Sequence, residues 1–453
     1  MQTGAIRKIL VFKKVNQRVL LVNPWIYDFS AYDFWLKPIG LLFLANSLLR
    51  QGFEVRFLDL VDNSFLPVEI KAHLKKRADG RGKFYAEEVS KPAPLKSIPR
   101  KFKRYGVPPK IAEQIIQQIP APSAIFLGTT MTYWSYGYIE TARFLREKFR
   151  ETPIIAGGLY VTICAEHSRN NLGADFYCGG DYEQSLKRIL KELFGFDEEL
   201  EAPERVRLGL ELYPKLEYGV ILTGRGCPYH CKYCLSPKLH PELKRKPVEM
   251  VIDEIIWQGK ELGLQNISFY DDALLLKPEE HIMKILEGVI QEKIKVKFHT
   301  PNGLHLKPMS QELANLMKRA GFETIRFGLE TLDPARQKEL GAKAGIEDLA
   351  RALTYLENAG YERRQIGVYL LAGLPGQSAV EIEKDIQEVK KLGARAYLSE
   401  YSPIPDTALW EKSLKSARYP IEEPLFQNCS LLPCAHSSLT AQKLTELKAL
   451  CRE

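Results

Sequence analysis

Gly224-Arg225-Gly226-Cys227-Pro228-Tyr229-His230-Cys231-Lys232-Tyr233-Cys234 places three of the chain's eight cysteines within eight residues, spaced C-x-x-x-C-x-x-C. Thiolates this close on a Gly/Pro-rich loop can turn inward on one soft metal centre, because the small residues let the backbone approach it. A structural zinc site wants four protein ligands, commonly as two separated C-x-x-C pairs. No second pair follows: Cys429 and Cys434 have the wrong spacing, and Cys164 and Cys178 are isolated. His230 is a candidate fourth ligand inside the loop, but reads more simply as a polar loop residue. A four-iron, four-sulfur cluster on Cys227, Cys231 and Cys234, with one iron left open, fits the donor set better.

Working outward, Tyr218–Thr223 reads as a strand before the loop, and a helical pattern starts near Pro247. Strand–helix units then recur. Ile267–Asp272 ends in two carboxylates, Val296–Gly303 in polar groups around Asn302, and Thr324–Glu330 in another carboxylate. Ile366–Gly376 ends in the Gly373-Leu374-Pro375-Gly376 loop, and Ala396–Pro405 is the sixth strand. Six such strands make a partial βα barrel, whose chemistry sits at the strand carboxyl ends. Asp272 as a helix cap and Pro375-Gly376 as a bare turn are the plain alternatives.

The region before the loop alternates in the same way. Gln17–Pro24, Glu54–Leu60, Ala124–Gly128, Pro153–Gly158 and Ala174–Asp181 read as buried strands, with helices at 38–51, 136–149 and 183–194. The expected fold class is therefore α/β: a doubly wound, Rossmann-like domain over 1–196, then a partial (β/α)6 barrel over 211–410. A linker over 197–210 joins them, acidic and solvated from Asp197 to Glu204, and 411–453 forms a short helical tail with one helix, Thr440–Cys451. Ligands of an open parallel sheet lie beyond its strand carboxyl ends, here Asn23, Thr129–Thr132, Gly157-Gly158 and Gly179–Asp181. A basic insertion over 71–110, punctuated by Pro and Gly, reads either as a solvated excursion or as a surface for anions.

The chain of 453 residues is 45% hydrophobic and 26% charged with a net charge of +8, as expected for an ordinary globular protein of two or three domains. Met1–Val15 lacks the apolar core of an export signal, and no run approaches the roughly 20 residues of a membrane span. Eight cysteines without a signal peptide predict a reducing, cytoplasmic setting. Cys429 and Cys434 read as buried thiols, with a catalytic or redox role as the minor alternative.

The cysteine spacing, with aromatic Tyr233 before the last Cys, resembles the radical S-adenosylmethionine (SAM) superfamily. That resemblance implies a [4Fe-4S] cluster on Cys227, Cys231 and Cys234. It also implies SAM held near Tyr233, Asp271, Asp272, Asn302, Glu330 and Gly373. A doubly wound domain before such a barrel resembles the cobalamin-binding domain of cobalamin-dependent radical SAM enzymes. On this likeness Thr129, Thr130, Gly157, Gly158 and Gly180 lie against the corrin and its tail. One departure stands out: many such domains carry D-x-H-x-x-G after the first strand, whereas Trp25–Trp35 holds no His, only Asp28 and Asp33.

The chemistry the resemblance implies is reductive SAM cleavage to a 5′-deoxyadenosyl radical, followed by methylation of an unactivated carbon with cobalamin. An electron donor such as flavodoxin or ferredoxin is the implied partner. The alternatives are rearrangement or oxidation without methyl transfer, a tRNA methylthiotransferase-like RNA enzyme, and a non-catalytic iron–sulfur or corrinoid-binding protein. The RNA enzyme would need a further Cys triplet and a longer tail, so nucleic acid is not an expected partner.

Overall fold

The structure, a computed structural model, describes residues 17–180, 182–341 and 344–452; the expectations on Met1–Val15 and Asp181 fall outside them. Five short apolar runs form the first sheet: β1 (Arg18–Asn23), β2 (Glu54–Asp59), β3 (Ala124–Thr129), β4 (Ile154–Gly158) and β5 (Phe176–Cys178). All pairings are parallel, in the order β2-β1-β3-β4-β5. Alternate side chains enter two different cores, Leu20, Val22, Ile125 and Leu127 on one face, Val19, Leu21 and Phe126 on the other. Burial on both faces is why these strands read as continuous apolar runs. The order reverses between β1 and β3, and a crevice there is lined by Asn23, Pro24, Lys37, Thr130, Trp134 and Tyr138.

The basic insertion is no solvated excursion. Lys103–Tyr105 pairs with Ala86–Glu88 on one side and with Ile26–Asp28 on the other as a small antiparallel sheet. Leu95, Ile98 and Phe102 are buried beneath it. Some of its cations find carboxylates: Lys101 meets Glu88 at 2.7 Å, Lys76 meets Glu217 at 2.8 Å, and Arg104 pairs with Glu87. Sequence could not show this, because the partners of the short strands lie far along the chain.

The second unit contains β6 (Gly219–Ile221), β7 (Asn266–Phe269), β8 (Lys297–His299), β9 (Phe322–Thr324), β10 (Arg326–Glu330), β11 (Gly367–Ala372) and β12 (Arg395–Glu400). The fourth expected strand is thus broken at Ile325, and the barrel wall divides into β9-β8-β7-β6 and β10-β11-β12. A bridge between Leu304 and Phe327 spans the seam. Outward residues such as Ile267, Phe298, Phe327 and Val368 pack on the helices. Their neighbours Asn266, Ser268, His299 and Arg326 face inward by strand alternation. Trp35, from the loop after β1, stacks on His299 at 4.5 Å and so plugs the barrel with a residue of the first domain.

The tail joins the two units. Besides the expected helix, found at Ala441–Leu450, it forms a helix at Trp410–Ser416. Leu409, Ile421, Phe426 and Leu431 share one core with Tyr160 and Leu172 of the first domain and Leu371 and Leu374 of the barrel. Asn428 donates to Asp28 at 2.8 Å across 400 residues of sequence. The linker also departs from a solvated strand: Glu198 and Glu199 are exposed, but Glu204 pairs with Arg225, and Val206, Leu208 and Leu210 are fully buried. No described helix is long and apolar enough to cross a membrane.

Candidate cofactor site

The cysteine loop leaves the carboxyl end of β6 under tight backbone control. Gly226 has φ of 96°, and a Cβ there would lie 2.2 Å from the Glu242 carbonyl oxygen, so only glycine fits. Lys232 N–H donates to the Leu340 carbonyl, and its own carbonyl accepts from Leu409, clamping the loop between barrel and tail. Cys227 is buried while Cys231 and Cys234 are partly exposed. Burial pushes the Cys227 thiol up, and the charges of Asp272, Cys231 and Cys234 add to this, which places the three sulfurs within one electrostatic neighbourhood. Among the described residues no three His, Cys, Asp or Glu side chains converge on a single ion. Three thiols on one loop, with no fourth protein ligand beside them among the described residues, would suit a cubane, in which each binds a different iron and one iron is left open.

One aromatic residue beside the loop, His305, was not foreseen from sequence. His305 places Nε2 4.0 Å from Cys227 Sγ and stacks on Tyr229 at 4.5 Å. It follows β8 by six residues, so nothing in local sequence ties it to the thiols. His230, by contrast, contributes its backbone, which packs against Gly341.

The carboxylates divide into those spent on scaffold and those facing the loop. Asp271 accepts from Thr223 N–H at 3.1 Å and from the Thr223 hydroxyl at 2.6 Å, tying β7 to β6. Burial pushes its carboxyl up to about 6. His281 completes this buried chain, 3.1 Å from the same hydroxyl, and burial draws its pKa down to about 4. Asp272 turns the other way: it bonds Ser236 just beyond the loop, its charge reaches Cys227, and burial raises its pKa. Asn302 donates to the Tyr270 and Asp271 carbonyls at 2.9 and 3.4 Å, closing the ends of β7 and β8 together.

Glu330, which ends β10, adopts φ of 72°, a left-handed backbone costly for a residue with a side chain. The pairing register with β11 shifts between Gly328 and Glu330. This turn brings its carboxylate to the Tyr233 hydroxyl, which also lies within hydrogen-bonding reach of Cys231. Burial, reinforced by Glu330 and Cys231, holds the Tyr233 phenol far above its usual range, so it stays a neutral donor. Gly373, with φ of 91°, begins a turn knotted by the fully buried Gln377. That side chain accepts from Gly373 N–H at 3.0 Å and donates to the Leu371 carbonyl at 3.0 Å.

The carboxyl edge of the first sheet is built differently. Thr129 spends its hydroxyl on the Gly157 carbonyl at 2.9 Å, and Thr130 N–H donates to Tyr138 Oη at 2.9 Å. Gly157 and Gly158 serve the sheet itself: Cβ atoms there would come within 3.2 Å of Cys178 O and 2.0 Å of Thr129 O. Gly180 has φ of 67° and open space around it. Of the five exposed large hydrophobic side chains among the described residues, Met131 and Leu159 follow strand ends here and Tyr32 lies in the loop after β1. Small residues beside uncovered apolar side chains fit a broad, flat macrocycle such as a corrin. Asp28 and Asp33 are spent elsewhere, on Trp134 and Asn428, and on Tyr218 and Leu36. His167, beside the edge, is held between Tyr160 and Glu423. Cys429 lies against Tyr133, with burial pushing its thiol up to about 12, whereas Cys434 donates to the Ser413 carbonyl.

Residues 221–389 match the family model of the radical SAM superfamily. An uncharacterized methyltransferase of Pyrococcus horikoshii is 27% identical over 44% of this chain and 42% of its own length. The cytidylyl-2-hydroxyethylphosphonate methyltransferase of Streptomyces wedmorensis is 25% identical over 46% of this chain and 40% of its own. The chain therefore spans about two fifths of these curated relatives. In fold, the radical SAM methyltransferase TsrM of Kitasatospora setae, solved with tryptophan and a SAM analogue, aligns with 89% of this chain and 77% of its own. The TM-score is 0.64 at 16% identity. The same protein with cobalamin and a [4Fe-4S] cluster bound aligns with a TM-score of 0.62 at 15% identity, over 89% of this chain and 76% of its own.

Proposed function

We propose that the chain, whose residues 221–389 match the radical SAM superfamily model, is a cobalamin-dependent radical SAM methyltransferase acting on an unactivated carbon. When bound, the [4Fe-4S] cluster with SAM supplies a carbon-centred radical, and cobalamin supplies a methyl group. The observation that carries this proposal is the thiol loop closed onto Glu330 through Tyr233 at the barrel rim, in a chain whose preceding sheet ends in an apolar edge.

Each of these residues has a definable task. Cys227, Cys231 and Cys234 hold the cluster. Asp272 and Glu330 offer acceptors for the ammonium and ribose hydroxyls of SAM, and Gly373 keeps the end of β11 open. Asp271 and Asn302 act one step back, fixing the strand ends that carry the loop. Gly180 and the apolar side chains Met131 and Leu159 seat the corrin, with Thr129, Thr130, Gly157 and Gly158 shaping the edge beneath. The loop after β1 has no imidazole that could serve as a cobalt ligand, so cobalamin would be held by the sheet edge alone. Electrons come from a donor such as flavodoxin or ferredoxin, which points to a cytoplasmic setting.

Anaerobic reconstitution tests the proposal. The visible spectrum should show cluster and cobalamin together, and reduction with SAM should release 5′-deoxyadenosine. Product mass then separates methylation from rearrangement or oxidation. SAM cleavage that survives Cys231→Ala would sink the assignment.

A further inference from the structure

Arg326, the first residue of β10, is the one arginine among the described residues in the buried class, with 8% of its surface exposed. Its Nη1 donates to the Ile325 carbonyl at 3.3 Å and Nη2 to the Tyr397 hydroxyl at 3.0 Å. The guanidinium also lies 4.0 Å from the Tyr397 ring centre, and its Nε–H has no acceptor. Among the described residues no carboxylate stands within 4.0 Å of it.

Several other well-covered cations among the described residues have a carboxylate in contact. Lys246, 2% exposed at its side chain, has Glu254 at 2.7 Å. Arg81 meets Asp79 at 2.5 Å, Arg225 pairs with Glu204, and Arg336 meets Glu381 at 3.0 Å. A buried charge left without its counter-charge is costly, so a fold that retains one has a counter-ion arriving from outside. The guanidinium itself is accommodated by Gly367, where a Cβ would lie 2.4 Å from Arg326 Nη1.

The location supplies the rest. Arg326 points inward beside Tyr369 and Tyr397, both partly exposed, and β12, which carries Tyr397, is the edge strand of its sheet. The charges of Arg81 and Arg395 reach it as well. Glu330, at the rim, is four residues further along the same strand, about 13 Å at ~3.3 Å per residue.

We propose that Arg326, with the Tyr397 hydroxyl, binds an anionic group of the substrate, a carboxylate or a phosphate, inside the barrel. The substrate then spans from this anion site to the rim, where its reacting carbon lies. This inference rests on the barrel being the reaction chamber, as proposed above.

The test is a melting titration of the full-length protein with inorganic phosphate and with acetate, each balanced against chloride at constant ionic strength. A saturable rise in Tm is expected for at least one anion, since a ligand bound only to the folded state stabilises it. Phosphate alone identifies a phosphoryl group, acetate alone a carboxylate. Arg326→Gln should abolish that rise while melting at or above wild type without the anion, because the uncompensated charge is gone. No rise in wild type with either anion, or an equal rise in Arg326→Gln, overturns the proposal. If that variant does not fold, Tyr397→Phe decides: a severalfold weaker anion midpoint supports the site, and an unchanged one overturns it. None of these readings needs SAM cleavage, so a wild type that binds anion but releases no 5′-deoxyadenosine would fault the reaction and leave the anion site standing.

Discussion

At the carboxyl ends of β3 and β4 the chain offers glycines with Met131 and Leu159 exposed beside them, whereas the ends of β6, β7 and β10 offer thiols and carboxylates. Both edges belong to parallel sheets flanked by helices, and in both the functional end is the carboxyl end. The difference lies in what each edge holds. A small charged molecule such as SAM needs discrete acceptors at set places. A wide macrocycle needs a surface without side chains in its way.

The sharpest way to break this comparison is Cys231→Ala. Cluster absorbance and SAM cleavage should vanish together, while the cobalamin bands persist; loss of both chromophores would show that the two edges depend on each other. Next, Gly158→Ala should cost about 3 kcal/mol or more, because its Cβ would lie 2.0 Å from Thr129 O at a φ of 109°. Gly180→Ala, in open space, should cost only about 1 kcal/mol. Thermal melts with bound-cobalamin counts separate the two. If Gly180 lines the cofactor its variant loses cobalamin out of proportion to stability, and unchanged occupancy would make it a plain turn.

A third test concerns pH. Asp271, raised from 3.8 to about 6, binds its proton more tightly folded than unfolded. Its contribution is intact at low pH and turns against the fold as pH rises through about 6, by about 3 kcal/mol. His281, lowered from 6.5 to about 4, works oppositely: its burial costs stability at low pH, and that is regained as pH rises through this window. Asp271→Asn removes only the first effect, so by denaturant melts it should gain on wild type by about 3 kcal/mol between pH 4 and 7. A pH-independent difference would mean that the barrel rim is more open to water than its geometry indicates. The smallest effect is expected for Glu330→Gly. Relief of the left-handed backbone is worth about 1 kcal/mol, so the variant should melt no lower than wild type while SAM binding weakens tenfold or more in equilibrium titration. Unaltered SAM affinity would move Glu330 from ligand to scaffold.

Much of the fold was legible from local pattern. Apolar runs and turn residues located every strand of the first sheet to within about three residues, because strands buried on both faces carry a signal that needs no partner. The placement of the three cysteines on one loop, and of Asp272 and Glu330 at strand ends, was legible for a related reason: a loop motif and strand-end carboxylates are properties of consecutive residues. Asp271 was legible as a strand-end carboxylate, yet its neighbour Thr223 consumes it, a fact of cross-strand distance. His305, Gln377 and the buried chain from His281 to Asp271 were invisible for the same reason. The basic insertion misled because charge composition reports solubility and not the carboxylates that later meet it.

The sequence by itself determined the chemistry of the donors: three soft thiols on one loop, carboxylates at successive strand ends, small residues along a sheet edge, and no imidazole after β1. These depend on residue type and short spacing. Only the tertiary structure decided which donors remain available, that Trp35 plugs the barrel from the other domain, that the tail joins both units, and that Arg326 is left without a counter-charge. Those depend on which distant side chains meet, and burial makes each meeting, or its absence, costly enough to matter.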